Sequence, residues 1–485
     1  VAAEVVPASP GSIARQFVVG GAFIHTNHGE LSDFYNVDKI LGTSSTSRVR
    51  RAQCKQSGVM RAVRLANATT SGKLHAEYNI LARLDHPHIC RLVEYFPTKR
   101  TRGLVVELCD GGDLIERALE ADVFDEALAA HYMHGLLSGV SYLHANGIIH
   151  RDISPINLLL DLPTADAKLK IADLGHAVDC AFGAKLAWDD FLPVPHYCAP
   201  ETGARHYDHA IDVFSCGVVL HLLLLGRPVV DGNSERQIRN RMKQLTPEDI
   251  LNEPEDMETI SDLAADLIRK LLAIKPQDRI TAADALSHEW FHHHYEHVLP
   301  TNVLRRLRAF RGKQVFIQAV STFIAVRLLS TKQRSQLAEH FERLDTNHDG
   351  TISLDELEKE LPHEIAARAS DKFSALDHNR DGRVDYTEFL VAMLDSETLV
   401  AQQNLQQAFD AFDLDRDGKI SAHELKTALA SDSGDETWAA ILKAVDTNGD
   451  GEIDFKEFET MMVDACTDTP PPSAEVTSQG RGLVS

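Results

Sequence analysis

Four stretches of twelve residues, DTNHDGTISLDE from Asp345, DHNRDGRVDYTE from Asp377, DLDRDGKISAHE from Asp413 and DTNGDGEIDFKE from Asp446, share one pattern. Each begins with Asp, carries Gly at its sixth position and ends with Glu. This is oxygen-ligand chemistry. Calcium takes about six to eight oxygens, so carboxylates and amides alternate with backbone carbonyls, and a bidentate Glu closes the shell. The first loop offers Asp345, Asn347, Asp349, the Thr351 carbonyl, Ser353 and Glu356. The second offers Asp377, Asn379, Asp381, the Arg383 carbonyl, Asp385 and Glu388. The third offers Asp413, Asp415, Asp417, the Lys419 carbonyl, Ser421 and Glu424, and the fourth Asp446, Asn448, Asp450, the Glu452 carbonyl, Asp454 and Glu457. One such match could arise by chance; four in tandem do not. Loop 1 has three carboxylates (Asp345, Asp349, Glu356) where the others have four, so it is expected to be the weakest site.

Such loops must be held between helices. Leu337, Phe341 and Leu344 before the first loop, and Trp438, Ile441, Leu442 and Val445 before the fourth, have helical spacing. Phe389, Met393, Phe458, Met461 and Met462 follow on the exit side. These residues suit a core, and equally the Met- and Phe-rich face that a calcium sensor exposes on opening. Position 8 is apolar in every loop (Ile352, Val384, Ile420, Ile453), which predicts that loops couple in pairs through a short two-stranded ribbon.

Charge divides the chain. The formal net charge is −23, and residues 336–466 hold 31 acidic against 11 basic side chains, a difference of −20. That acidity excludes a nucleic-acid or anionic-membrane role, which would need basic surface. A length of 485 residues has room for about three domains. Seven cysteines (Cys54, Cys90, Cys109, Cys180, Cys198, Cys216, Cys466) are scattered without metal spacing, which points to a reduced, cytoplasmic or nuclear compartment. No apolar run approaches membrane-spanning length. The first residue is Val1 rather than Met, so the chain is expected to be truncated or processed; any N-terminal lipidation signal would not be visible in it, and membrane anchoring stays open. Residues 1–33 lack a sustained period, and residues 467–485 have the composition of a disordered tail.

Between Phe34 and Phe291 several signals occur in a fixed order: HRDISPIN at 150–157, ADLG at 172–175, CAPE at 198–201, Asp212 in DVFSCG and Arg279 in PQDRITAADAL. This order resembles the protein-kinase catalytic domain. With four calcium loops behind it, the chain resembles the calcium-dependent protein kinase family of plants and apicomplexan parasites. The resemblance implies an α+β bilobal protein-kinase fold over 34–291, a junction or autoregulatory helix over 292–335, and an all-α calmodulin-like domain of four EF-hands over 336–466.

It also implies roles. Asp152 stands where the family's catalytic Asp accepts the substrate hydroxyl proton, and Asn157 and Asp173 stand at the two magnesium ligands. Glu77 matches the helix Glu that pairs with the strand Lys. Leu41, Gly42, Val49, Ala62 and Leu159 would enclose adenine, Glu107 and Cys109 fall at the hinge, and Asp113 could bind ribose. The cofactors implied are calcium at four sites, with ATP and Mg2+ at a weakened site.

The weakening lies in the departures. The glycine-rich loop reads LGTSSTSRV, keeping Gly42 but placing Ser44 and Ser47 where glycines let amides approach phosphates. The strand lysine is replaced by Arg64, longer, planar and forked. Lys39 and Lys55 lie toward strand ends and do not replace it. Ser154 occupies the position of the catalytic-loop Lys, Val194 that of the threonine bonded to it, and Ile156 that of an acid many kinases use to bind substrate arginine. Losing one charge at a phosphoryl-transfer transition state costs several kcal/mol, a factor of about a thousand.

Residues 301–330 combine Arg305, Arg306, Arg308, Arg311 and Lys313 with Leu304, Leu307, Phe310, Phe316, Val320, Phe323 and Leu328 at roughly helical spacing. A basic amphipathic helix is a target for a calmodulin-like groove, and direct attachment favours the intramolecular one. In the resembling family this junction blocks the substrate site until calcium withdraws it. The histidine run SHEWFHHHYEH at 287–297 lacks the partners of a zinc site and continues the last helix of the kinase-like lobe. A calcium-activated Ser/Thr kinase of low activity and a calcium-responsive pseudokinase scaffold both remain, and the basic linker disfavours a mere calcium buffer.

Overall fold

The computed structural model describes residues 24–27, 29–43, 47–66, 71–97, 102–121, 124–181, 184–187, 193–202, 206–251, 256–294, 315–360, 369–377, 379, 381–413, 415, 417–428, 442 and 445–467. Ser44, the basic linker residues 305–313, Trp438, Ile441 and the tail fall outside these residues.

The first lobe is a six-stranded sheet. Its strands are β1 (His25–Thr26), β2 (Tyr35–Thr43), β3 (Ser47–Cys54), β4 (Met60–Ala66), β5 (Leu92–Pro97) and β6 (Arg102–Glu107), in the order β1-β5-β6-β4-β3-β2. Only β1–β5 is parallel. The period of two along β4 buries Val63 against Leu31, Tyr35 and Phe96 and turns Ala62 and Arg64 to the opposite face. Register sets Arg64 opposite Val49 on β3 and Leu104 on β6. Helix α1 (Ser71–Leu81) packs on the sheet through Leu74, Ile80 and Leu81, and its Glu77 is buried.

The second lobe is helical, beginning with α2 (Leu114–Ala121). Helix α3 (Glu126–Ala145) starts at Asp125, whose carboxylate accepts the Leu128 amide at 2.7 Å, an N-cap. Helix α4 (Ala210–Leu225) is buried on nearly all sides and stops at Gly226, whose φ of 66° is left-handed and favours glycine. Helices α5 (Glu235–Lys243) and α6 (Asp262–Leu271) follow, each capped by a serine. A hairpin of β7 (Leu158–Leu160) and β8 (Leu169–Ile171) carries Asn157 just before its first strand and Asp173 just after its second. Buried Asp212 of α4 accepts the amides of His150 and Arg151, both at 2.8 Å, and so pins the loop bearing Asp152. Arg279 pairs with Glu201 at 2.7 Å. His288, from the histidine run, caps a short helix and bonds Asp266 at 2.9 Å.

The C-terminal module is all-helical apart from its ribbons. Helix α7 (Val315–Phe323) continues through a π-helical turn, Ile324–Leu328, to the capping box of Ser330 and Gln333 that opens α8 (Thr331–Leu344). Helices α9 (Leu354–Glu360), α10 (Ala369–Leu376) and α11 (Tyr386–Met393) complete the first loop pair. Helices α12 (Gln402–Phe412), α13 (Ala422–Ala428) and α14 (Phe455–Thr467) belong to the second. The ribbons form where position 8 predicts: Ile352 and Val384 exchange amides at 2.8 and 2.9 Å, and Ile420 opposes Ile453 between β9 (Lys419–Ile420) and β10 (Ile453–Asp454). Each pair has its own core, one around Phe341 and Phe389, the other around Phe409 and Phe458.

Candidate active site and calcium loops

Three elements meet at Arg64. Its Nη1 lies 2.7 Å from Glu77 Oε1 on α1 and 2.6 Å from Asp173 Oδ1 after β8, and its Nε donates to Ser47 Oγ at 2.9 Å. Arg64 thus ties the helix, the glycine-loop strand and the ADLG turn together, holding both acids through the one Nη1 and Ser47 through Nε. Burial, only partly offset by Arg64, pushes the Glu77 carboxyl up to about 7. Burial would raise Asp173 as well, but the Arg64 pair and the Gly175 amide outweigh it and hold the group below the ordinary carboxylate range. Asp173 Oδ1 is therefore already paired with a side-chain cation. Lys55 is directed elsewhere, its Nζ donating to Ser32 O at 2.7 Å.

Asn157 Nδ2 donates to the backbone oxygen of Asp152 at 2.9 Å and to its Oδ2 at 3.0 Å, tying the two together. Burial raises the Asp152 carboxyl above its usual range, more than the bonds from Asn157 and the Val194 amide lower it. Ser154 is buried, at 1% exposure, while Val194 (39%) and Ile156 (56%) stand out into solvent.

At the adenine end Ala62 is buried, Val49 and Leu159 are half-buried, and Leu41 is exposed. Glu107 turns its carboxylate away from the cleft, accepting the Arg91 amide at 2.9 Å and Lys170 Nζ at 3.0 Å, with Arg334 at 3.8 Å. Burial alone would raise this acid, but Lys170 and Arg334 overcome that and bring it to about 2. That carboxylate is therefore fully engaged within the protein. Cys109 Sγ lies 3.7 Å from Cys90 Sγ. Asp113 caps α2, accepting the Glu116 amide at 2.9 Å.

The four calcium loops share one hydrogen-bond plan. The first Asp accepts the amide of the sixth residue: Gly350 to Asp345 at 2.8 Å, Gly382 to Asp377 at 3.0 Å, Gly418 to Asp413 at 3.0 Å and Gly451 to Asp446 at 2.8 Å. The twelfth Glu accepts the amides of positions 3 and 9, as Glu356 does from Asn347 at 3.0 Å and Ser353 at 2.8 Å. The sixth-position glycines all have φ between 80° and 89°, the left-handed turn the loop requires. In the third loop Asp413, Asp415 and Glu424 bring one carboxylate oxygen each to within 4.8 Å of the others. In the first loop burial, and then Asp349, push Asp345 well above the carboxylate range. Converging oxygens that penalise one another's charge fit a divalent hard cation. Arg383 reaches Asp349 at 3.2 Å and Lys419 reaches Asp450 at 2.7 Å, so a position-7 cation of one loop meets the position-5 acid of its mate in both pairs.

Helix α7 lies in the core of the second pair, with Phe316 edge-on to Phe412 and Phe458 at ring separations of 5.6 and 5.9 Å. Ala325, within the π turn, and Leu329, just after it, enter the core of the first pair. A polar interface between the first pair and the kinase-like lobe escaped sequence reasoning. Glu342 of α8 sits 2.9 Å from His88 Nε2 and 3.6 Å from Lys168 Nζ. Thr387 accepts from Arg91 at 3.1 Å and donates its amide to Asp85 at 2.7 Å. Arg327 pairs with Glu94 and donates to Val93 O. One signal existed: Arg334, Ala338 and Glu342 recur every four residues, a second stripe beside Leu337, Phe341 and Leu344, and both stripes are inward.

Residues 35–291 match the family described as the protein kinase domain, and residues 334–394 and 402–463 each match the EF-hand domain pair. The chain is 32% identical over 476 residues to calcium-dependent protein kinase 4 of Plasmodium falciparum (isolate 3D7), covering 92% of this chain and 89% of that protein. It is 31% identical over 454 residues to calcium-dependent protein kinase 5 of the same organism, covering 90% and 79%. Calcium-dependent protein kinase 3 of Plasmodium berghei (strain Anka) is 30% identical over 466 residues, covering 91% and 82%.

Proposed function

The chain belongs to the calcium-dependent protein kinase family, and from that premise we propose that calcium at its four EF-hands controls a kinase cleft whose phosphoryl transfer from ATP to Ser/Thr substrates is weak. The observation that carries this reading is Arg64 in the place of the strand lysine, paired with both Glu77 and Asp173, so that Asp173 is already held by a side-chain cation where Mg2+ would bind. Ser154 and Val194 remove a second cation and its support from the same phosphate path. Asp152 takes the hydroxyl proton, Asn157 and Asp173 are the residues that would hold Mg2+, and Leu41, Val49, Ala62 and Leu159 bracket the base. Mg2+ bound there would neutralise phosphate charge.

In this reading residues 34–291 form the kinase domain, 292–335 the junction and 336–466 the calmodulin-like domain. The grip of the second loop pair on α7 supports the junction as that domain's intramolecular target. Calcium acts by favouring the arrangement in which the hands hold the junction and keep it off the substrate site.

A catalytically inactive calcium-responsive scaffold is the second reading, favoured by the burial of Ser154 where the transferred group needs a cation. The test is peptide phosphorylation and ATP turnover by the full chain, with calcium and with chelator, beside an Arg64→Lys/Ser154→Lys double variant. The expected result is slow, calcium-dependent transfer that rises at least tenfold in the double variant. Robust transfer by the unmodified chain, unimproved by the two lysines, sinks the weak-kinase reading; no transfer at all by the unmodified chain selects the scaffold.

A further inference from the structure

One face of helix α5 is cationic and runs beside the catalytic loop. Four of its nine residues are basic and one is acidic. Arg236, Arg239 and Lys243 are spaced three and four apart, which places them within about 60° of one another around the helix. Ile238 and Met242, the buried residues, occupy another face. Arg236 and Lys243 are exposed. Arg239 shows where the stripe points: it donates to Pro193 O at 2.7 Å and to Cys198 Sγ at 3.3 Å, so it lies along the 193–198 segment. The Cys198 thiol that Arg239 reaches donates in turn to Val194 O at 3.3 Å, so the helix stripe and Val194 share one neighbourhood.

The rim of this shelf is apolar. Ile156, beside Asn157, is 56% exposed, and Val194, whose amide reaches Asp152, is 39% exposed. Exposed apolar side chains beside a charged stripe offer an apolar residue of a docked segment a surface to cover. A basic stripe with an apolar rim selects against a basic peptide by like-charge repulsion and favours an acidic one by complementarity.

We propose that the shelf of Arg236, Arg239 and Lys243, rimmed by Ile156 and Val194, is the docking site of an acidic protein segment that presents an apolar residue to Ile156. This rests on the reading of the Asp152 cleft as the place where protein substrates or partners enter, and it specifies their class. It does not depend on phosphoryl transfer: binding is measured without turnover, so a chain that transfers no phosphate can still satisfy it.

The experiment is fluorescence anisotropy on the full chain with labelled peptides of about twelve residues. One carries several Asp and Glu around a Leu and a Ser, one has every acid replaced by Lys, and one keeps the acids but has Gly for Leu. The acidic Leu peptide is expected to bind at least tenfold more tightly than the Lys peptide, weakening as salt rises from about 0.05 to 0.3 M. Arg236→Glu/Lys243→Glu is expected to lose at least tenfold. Arg241→Glu, which reverses a charge off the stripe, is expected to lose under twofold. Ile156→Asp should abolish the preference for Leu over Gly. Absence of saturable binding, equal binding of the Lys peptide, or equal losses in Arg236→Glu and Arg241→Glu overturns the proposal.

Discussion

Replacing Glu342 by Gln should undock the first EF-hand pair from the kinase lobe without unfolding either. Glu342 is 3% exposed, and its two oxygens face His88 Nε2 at 2.9 Å, Lys168 Nζ at 3.6 Å and His134 Nδ1 at 3.8 Å. Burial would raise its carboxyl, but His88 and Lys168 outweigh that and hold it well below the ordinary range. An isosteric amide keeps the volume and removes the charge, leaving the Lys168 ammonium buried without its anion. Breaking a buried pair from one side costs about 3–5 kcal/mol. At about 1.4 kcal/mol per decade, that favours opening by about a hundred- to a few-thousand-fold. The cost falls on docking because the partners of Glu342, His88, His134 and Lys168, all belong to the kinase lobe. Amide hydrogen exchange of the full chain reads this directly: protection should fall around His88–Leu92 and along α8, while α4 in the heart of the large lobe keeps its own. Glu339→Gln, on the same helix but 43% exposed and paired with Arg343, should shift opening by less than about 0.5 kcal/mol. A Glu342→Gln change below threefold, or a loss of protection spread evenly over both domains, would refute the reasoning.

Two further outcomes follow from the same geometry. In calcium titrations of single Glu→Gln variants at Glu356, Glu388, Glu424 and Glu457, the Glu356 change should cost least overall affinity, because loop 1 has the fewest carboxylates. The largest loss at Glu356 would reverse that ranking. Glu107 has a folded-state pKa of about 2 against an ordinary 4.5, so its pairing with Lys170 and Arg334 stabilises the fold above pH 4.5 and is lost as pH falls toward 2. The shift of roughly 2.5 units corresponds to about 3 kcal/mol. Thermal melts of Glu107→Gln in chelator should therefore begin lower at neutral pH and fall less steeply between about pH 4.5 and 3 than those of the parent; parallel acid limbs would contradict it.

Ligand chemistry was legible because it is local. A calcium loop must place oxygens at fixed steps along twelve residues, and the position-8 pairing follows from the same repeat, so Ile352–Val384 and Ile420–Ile453 formed where expected. The replacement of two expected lysines by Arg64 and Ser154 was equally plain, since both stand in motifs whose order is read along the chain. The inward face of Arg334, Ala338 and Glu342 was not legible, because an amphipathic helix with two stripes looks half solvated until the lobe that covers the second is known.

By itself, the sequence determined the inventory: four oxygen-rich loops, a kinase-like order of motifs, and a phosphate path short of lysine. Only the tertiary structure decided the pairings. It set Arg64 against Glu77 and Asp173, residues 13 and 109 positions away, and Glu342 against His88 and Lys168 across a domain boundary. The physical reason is range. Backbone geometry and ligand spacing are written within a few turns of chain, whereas desolvation and ion pairing depend on whichever distant segment arrives to exclude water.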